Sequence, residues 1–483
     1  MFERRLAAVE VLSEESLVAL ERGWQRLVSE IGIEFQHAEV LERLRAAGQE
    51  VDGEVARLDP DWVLAQVAKA PQSVTLHGRG SRVMELAPGR MAFCACQSAP
   101  FVREGDVRRE ATVDDFRRLV RLTQVVDELD TPGYPICEPS DLDPATRHLD
   151  LQLALYEETD KPFAAAQFDP VGCSDSVAMA AIVHGGRAAL AERPALFGVI
   201  NANSPLRFDE RMLGSLLVLA EARQVVVVTP FILMGAMGPV SIPAALAQQT
   251  AEALAGIAVA QLVAPGCPVV MGSFVSHSNM QSGSPGFGGP ESAIGLLASG
   301  QIARRYGLLW RAGGGGLTSS QVPDAQGAFE ALNTMLPAFL AGANLVLHTA
   351  GWLDSGLVAS YEKFLLDVEA LRILQRQLVP LEVNEATLAF DAHAEVGHGG
   401  YFFGAAHTLE RFRDCFYRPL VFSTDGHDRW RKAGGHDAAA RAGTRWQALI
   451  EGYEPPPLEE GLRAELHAYV ARRRRELEVG ADA

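Results

Sequence analysis

The stretch LLWRAGGGGLTSSQVPDAQGAFEALNTMLPAFLAGANLVLHTAGWLDSGLVASYEKFLLDVE, Leu308 to Glu369, decides the fold. Two short apolar runs, Leu308–Trp310 and Asn344–Leu347, each end in a polar, Gly-containing loop, and each loop leads into a long helical pattern. That is two strand–loop–helix units in succession. Arg311 closes the first strand and His348 the second. If the strands are parallel neighbours, both side chains emerge at the carboxyl end of the sheet, where ligands bind in parallel α/β folds.

The same texture extends backwards to residue 91. Strands are expected at Met91–Cys96, Gly133–Cys137, Phe163–Phe168, Leu196–Asn201, Val225–Phe231, Pro268–Ser273, Leu308–Arg311 and Asn344–His348. Helices are expected after them at about 113–128, 144–160, 173–191, 208–223, 241–263, 289–306, 324–342 and 358–378. The apolar runs do not alternate with polar residues, as befits strands buried on both faces. Eight such units predict an α/β fold, a (β/α)8 TIM barrel, with an open doubly wound sheet as the alternative. Residues 1–90 read as a mostly helical cap, with helices over 14–30, 37–47 and 60–69 and a strand near Val74–Leu76. Residues 91–380 form the barrel, and 381–483 a helical C-terminal extension packed on it. The basic run Arg472–Arg475 reads as a solvated helix end that favours its own macrodipole.

A chain of 483 residues exceeds one small core. Its formal charge of −18 argues against nucleic acid and against an anionic membrane. No apolar stretch is long enough to span a bilayer and no signal peptide is evident, so a cytoplasmic enzyme is expected. Six scattered cysteines imply no disulfide framework. Cys94 and Cys96 would share a strand face, but no second pair completes a metal set, and buried core thiols are the expectation. The sequence has no GxGxxG at the first turn and no GxxxxGK[ST], so a nucleotide fold has no support.

The expected strand ends carry Gln97 and Ser98, Glu138, Gln167, Asn201 and Asn203, Pro230 and Phe231, Ser273, Arg311 and His348. These do not make a metal site. Of four lysines, Lys161 precedes its strand and the others lie off the strand ends, which removes Schiff-base chemistry. Arg311 suits two-point binding of a carboxylate or phosphate; a structural ion pair is the competing account. His348 suits a second donor to the same anion, or a core histidine bonded to backbone. Gly313–Gly316 let backbone approach a ligand or let a loop move, or merely make an irregular turn. Phe231, Trp310, Trp352, Tyr361, Tyr401, Phe402 and Phe403 could cage a quaternary ammonium, although packing is the commoner use of any one. The acidic residues of Tyr361–Glu369 favour the start of a helix.

The segment AGANLVLHTAGWLDSGLVASYEKFLLDVE (341–369) resembles the signature of the trimethylamine methyltransferase superfamily. So do NANSPL (201–206), MGAMGPVSIPAALA (234–247), AEALAGIAVAQLVAPGCPVVMGS (251–273), GGPESA (288–293), ARRYGLLWR (303–311), DAQGAFEALN (324–333), VGHGGYFFGAAHTLERFR (396–413) and YEPPPLE (453–459). The resemblance spans nearly the whole chain in order. It implies a TIM barrel that demethylates methylamines and passes the methyl to a separate corrinoid protein. Trimethylamine-specific members carry pyrrolysine, which aligns near Gln321, where this chain has an ordinary residue. It therefore resembles the pyrrolysine-free branch, whose representatives act on quaternary amines such as glycine betaine. Two stretches approach the cobalamin-loop pattern Asp-x-His-x-x-Gly, at Asp391-Ala392-His393 and Asp425-Gly426-His427, but neither has the glycine in place. The corrinoid (cobalamin) is thus expected on the partner, with no tightly bound cofactor or metal in this chain.

The expected chemistry is methyl transfer from a betaine-like quaternary amine to Co(I), with no catalytic residue in this chain. The substrate-binding set is Arg311, His348, Phe231, Trp310, Trp352, Gln97, Asn201, Asn203 and Gln321. A sulfonium demethylase acting on dimethylsulfoniopropionate, a non-catalytic betaine-binding barrel and transfer to a non-corrinoid acceptor remain as alternatives. The resemblance is compatible with a homo-oligomer.

Overall fold

The computed structural model describes residues 1–481. Seven parallel strands carry the fold: Arg90–Phe93, Phe163–Ala164, Leu196–Ala202, Val225–Pro230, Val269–Gly272, Trp310–Ala312 and Leu345–Val346. The first of these lies beside the last, and the others follow in order, so the sheet curls round on itself. Phe2–Glu3 adds an eighth, antiparallel strand alongside Arg90–Phe93. Every residue of the central strand Val225–Pro230 is buried, which is why its sequence shows no alternation.

The expected strand at Gly133–Cys137 is not continuous. Its segment makes isolated bridges, Cys94 with Thr131 and Ala99 with Cys137, and Gly133 O accepts from Ala164 N at 3.5 Å. Pro132 and Pro135 supply no N–H, and Gly133 sits at φ 68°, so a regular ladder cannot form. The expected helices are present with small shifts in their ends. That over 173–191 is split into Pro170–Val183 and Arg187–Glu192 by Gly185 and Gly186, both at positive φ.

The N-terminal region is less helical than its sequence suggests. Strands Ile33–Phe35, Glu50–Asp52 and Val55–Arg57 join Arg207–Phe208 in a small sheet that stitches this region to the loop after Leu196–Ala202. Two further small sheets rise from the carboxyl ends of the parallel strands. One joins Trp352–Leu353, Val358–Ser360, Phe101–Glu104 and Val107–Glu110; the other joins Ile232–Met234, Val275–Ser278 and Pro285–Gly286. Both form a rim around the carboxyl edge of the sheet. Among the described residues no helix is long and apolar enough to cross a membrane.

The polar residues of Tyr361–Glu369 do more than favour a helix start. Glu362 accepts from Gly105 N and Trp446 Nε1, and Glu369 accepts from Tyr417 and from Val421 N, which ties the C-terminal region to the helix Tyr361–Gln377. Lys363 and Asp367 form a buried ion pair. Lys363 Nζ also donates to Gly316 O at 3.3 Å, and Asp367 accepts from Gly351 N at 2.9 Å, so the pair pins the loops after both strands of the opening stretch. Burial pushes the Asp367 carboxyl up to about 6 despite the ammonium beside it. The basic run is not merely solvated: Arg473 pairs with Asp175 at 2.9 Å and Arg474 with Asp150 at 2.5 Å, docking the last helix on two helices of the α/β unit. Lys161 also has a structural role, since its ammonium donates to the carbonyls of Thr123, Val126 and Leu129 at 2.6–2.8 Å.

Asp367→Ala should destabilise the protein by about 3–5 kcal/mol in chemical denaturation, because it strands a buried ammonium. Lys363→Met combined with Asp367→Ala should recover most of that loss. An equal loss in the single and double variants would show that the pair contributes only by packing.

Candidate active site

Strand alternation places Trp310 and Arg311 on opposite faces. Trp310 faces the helices: a Cβ on Gly300 would lie 2.9 Å from its ring, and its Nε1 donates to Ser273 Oγ at 2.9 Å. It is core, away from the ligand face. Arg311 is left on the inner face, 2 % exposed. Its Nη1 donates to Ser273 O at 3.2 Å, its Nη2 lies 3.2 Å from His348 Nε2, and its Nε has no partner. Among the described residues no carboxylate lies within 4.0 Å of it, so the structural ion pair is absent. Burial pushes its pKa down to about 9.

A guanidinium only donates. His348 Nε2 is therefore the acceptor, and the imidazole proton sits on Nδ1. That nitrogen is buried and unpartnered. Burial and the Arg311 charge push the His348 pKa well below 6.5, so the ring is neutral. His348 takes φ 57°, a left-handed conformation uncommon outside glycine. Two polar groups at adjacent strand ends, Arg311 Nε and His348 Nδ1, thus both lack a protein acceptor.

The four glycines hold this geometry by close approach. A Cβ on Gly315 would lie 2.7 Å from Thr349 Cα and 2.8 Å from His348 O; one on Gly313 would lie 2.2 Å from Ser273 O. Gly316 N donates to His348 O at 2.7 Å. Gly313 and Gly315 rest on the backbone of their neighbours, Gly314 lies against the Leu296 and Thr334 side chains and Gly316 against Asp367 and Thr349 O, and each of the four is buried.

An aromatic arc runs from His348 across the carboxyl edge. His348 stacks on Trp352 at 3.8 Å and 8°, and Trp352 lies parallel to Phe287 at 6.0 Å. Phe287 meets Phe274 edge-on at 5.2 Å, and Phe274 stacks with Phe231 at 4.5 Å. Trp352 Nε1 is fixed by Gln97 O at 3.0 Å. Phe274 and Phe287 were not among the expected site residues. Phe274 follows Ser273 as Phe231 follows Pro230, and that parallel was a usable signal; Phe287, in a Gly-rich loop, gives none.

The other expected residues make contacts of their own, and only Gln97 among them touches the arc, through its carbonyl on Trp352. Asn203 exchanges two hydrogen bonds with Asp209, at 2.8 and 3.1 Å, and so closes the loop ahead of the helix Glu210–Glu221. The loop is further held by Glu252, buried in the helix Ile242–Val263, which accepts from Ser204 Oγ at 2.5 Å and Leu206 N at 2.7 Å. Asn201, half-buried at its strand end, pairs in register with Thr229. Gln97 is buried and donates to Cys94 Sγ at 3.2 Å. Gln321 is exposed and donates to Ser319 O at 2.9 Å. Tyr361 stacks on Trp446 at 4.4 Å beneath the C-terminal region, and Tyr401, Phe402 and Phe403 are exposed, so none of the four joins the arc. Among the described residues no three His, Cys, Asp or Glu side chains converge as a metal site would require.

The donors and aromatic rings gather at the carboxyl edge of a curled parallel sheet, the edge at which α/β enzymes bind small ligands. The family model described as "Trimethylamine methyltransferase (MTTB)" matches residues 1–478, and the chain belongs to that family. It is a methyltransferase. It is 36 % identical over 469 residues to a glycine betaine methyltransferase of Desulfitobacterium hafniense, covering 97 % of this chain and 98 % of that one. It is 27 % identical to a proline betaine:corrinoid methyltransferase of Eubacterium limosum, covering 96 % of each. The monomethylamine methyltransferase of Methanosarcina barkeri shares the fold at a TM-score of 0.52 and 10 % identity, over 92 % of this chain and 89 % of that one.

Arg311→Met, which removes an uncompensated buried charge, should raise the ligand-free melting temperature by about 2 °C. A lowered melting temperature would mean that the guanidinium is already satisfied without ligand.

Proposed function

We propose that this chain transfers a methyl group from a betaine, a quaternary ammonium that also bears a carboxylate, to the Co(I) of a corrinoid carried by a separate protein. The observation that carries this reading is Arg311, a buried guanidinium without a carboxylate beside it. Such a charge is costly unless an anion arrives. Arg311 Nε and His348 Nδ1 supply the two free donors for a substrate carboxylate. The arc of Trp352, Phe287, Phe274 and Phe231 supplies ring faces for the onium end, where an ammonium is attracted to the π-cloud. The likeness to two enzymes named for betaines supports the same substrate class.

The chemistry asks little else of the protein. A quaternary nitrogen departs as a neutral tertiary amine, so no general acid is required. The nucleophile is the partner's Co(I), so no activated side chain is required. What remains is orientation and exclusion of water, which the carboxylate clamp and the buried ring faces provide. Binding the carboxylate spends interaction energy on aligning the C–N bond towards the mouth. The near-motif histidines lie outside this arrangement: His393 meets Phe402 edge-on and His427 tilts over Trp430, both in the C-terminal region. We further read the curled sheet as a closed (β/α)8 barrel, with 131–137 filling the place between Arg90–Phe93 and Phe163–Ala164.

Arg311→Ala should raise KM for a betaine at least about 30-fold, since truncating one partner of a buried charge pair costs about 2–5 kcal/mol. Unchanged kinetics would remove Arg311 from the site. Calorimetric affinity should be flat from pH 6.5 to about 8, because His348 stays neutral and Arg311 charged. It should weaken as the pH rises through about 9, where half of Arg311 has lost its proton in the free protein. Phe287→Leu should weaken binding by about 0.5–2 kcal/mol if its ring faces the onium.

A further inference from the structure

Phe287 sits between two glycines, Gly286 and Gly288, and is buried. Its loop follows the strand Val269–Gly272, whereas Trp352 follows Leu345–Val346, two strands away. Yet the two rings lie within 13° of parallel at 6.0 Å. What joins them is the loop that leaves the strand between, Trp310–Ala312. There the Ser319 hydroxyl takes both main-chain groups of Phe287. It accepts from Phe287 N at 2.8 Å and donates to Phe287 O at 3.2 Å, with Pro285 O at 3.4 Å. Ser355, in the turn after Trp352, donates to Pro285 O at 2.9 Å and lies 3.3 Å from Ser319 Oγ. Three loops from three neighbouring strands therefore meet at one hydroxyl.

Ser319 is itself held. Its N–H and the Thr318 hydroxyl both donate to Glu330 Oε2, at 2.8 and 2.5 Å. Glu330 belongs to the helix Ala325–Ala341, and the same helix grips the Phe287 side. Asn333 Nδ2 donates to Gly288 O at 2.8 Å, and a Cβ on Gly288 would lie 2.3 Å from Glu330 Cβ. On the Trp352 side, Asp354 N donates to Ser320 O at 2.7 Å and Ser355 N to Thr318 O at 3.1 Å. Those bonds hold Asp354 and Ser355 at φ 53° and 52°, a left-handed conformation that persists where the surroundings impose it. A Cβ on Gly356 would lie 3.0 Å from the Trp352 ring, so the turn wraps that indole. Without the Ser319 hydroxyl, the N–H of the buried Phe287 would have no acceptor, a penalty the loop relieves by moving, and the ring moves with it. A ring attracts a cation only when the charge lies over its face, within about 6 Å of its centroid, so a displaced Phe287 loses that attraction.

We propose that Ser319 is a positioning residue for the onium end of the substrate. By fixing Phe287 against Trp352, it sets the preference of the site for a cationic head over a neutral one of the same shape; this rests on the betaine reading above. The test is calorimetric titration of the full chain with two ligands: glycine betaine, and 3,3-dimethylbutanoate, its isostere with carbon in place of the charged nitrogen. Both present the same carboxylate to Arg311 and His348, so the ratio of their affinities reports the ring faces. The wild type should prefer the betaine. Ser319→Ala should shrink that preference at least about threefold. Ser319→Thr, which keeps the hydroxyl, should retain it. In a Phe287→Leu background, Ser319→Ala should change the preference no further, because the hydroxyl acts through that ring. A Ser319 that only stabilises the fold would weaken both ligands alike. An unchanged ratio in Ser319→Ala, or a further fall in the double variant, therefore overturns the proposal while leaving the betaine reading intact. If Ser319→Ala does not fold, Ser355→Ala loosens the same junction from the other side, and the ratio measured there decides in the same way. A wild type that binds neither ligand, or both equally, counts against the betaine reading and overturns the inference with it.

Discussion

A guanidinium enclosed by protein and left without a carboxylate is the constraint around which this molecule is arranged. Arg311 has a carbonyl and an imidazole nitrogen for company, and neither neutralises it. Everything that surrounds it can be understood as holding that unfavourable state in place. The Gly313–Gly316 ribbon lies on the backbone around His348, and Lys363 with Asp367 fastens the ribbon and the Trp352 loop to one helix. Stability is given up at the strand ends and recovered in the layers behind them, as expected where structure and function compete for the same residues.

The carboxyl edge of the sheet divides into two parts with different physics. On one side, Arg311 dictates the tautomer of His348 and leaves Nδ1–H free, so one residue's charge sets the other's donor. On the other side, ring faces of Trp352, Phe287, Phe274 and Phe231 offer a diffuse negative potential in place of a formal charge. The proposed substrate, a zwitterion with its charges at opposite ends, is the kind of molecule such a division would suit. A full carboxylate on the aromatic side would have bound a cation more tightly, but it would also have attracted a partly solvated ion and opened the site to water.

Much of the framework was legible in the sequence, because strands buried on both faces leave unbroken apolar runs and the helices between them are long. The strand expected at 133–137 failed to form for a local reason, two prolines and a glycine within four residues of Thr131, which an apolar count overlooks. The three-residue strands of the N-terminal region gain their structure from Arg207–Phe208, distant in sequence, and no window of local sequence contains that information. The neighbourhood of Arg311 and His348 could be read from strand order, and the structure sets the two side by side. Trp310 was misplaced although its adjacency to Arg311 already assigns it to the other face. Asn203 reads as a binding amide, but Asp209 six residues on satisfies it. Phe287 enters the arc only through the folding of a glycine-rich loop.

The glycine ribbon has one more consequence. Because it presents no side chains of its own and lies hard against its neighbours at all four positions, the separation between the Arg311 and His348 anchor points behaves as a fixed ruler. On the proposed reading, accommodating a zwitterion of another length would leave little room to move that end of the ruler. Diversification should fall on the ring-bearing loops, where exchanging one hydrophobic side chain for another alters reach without disturbing the scaffold.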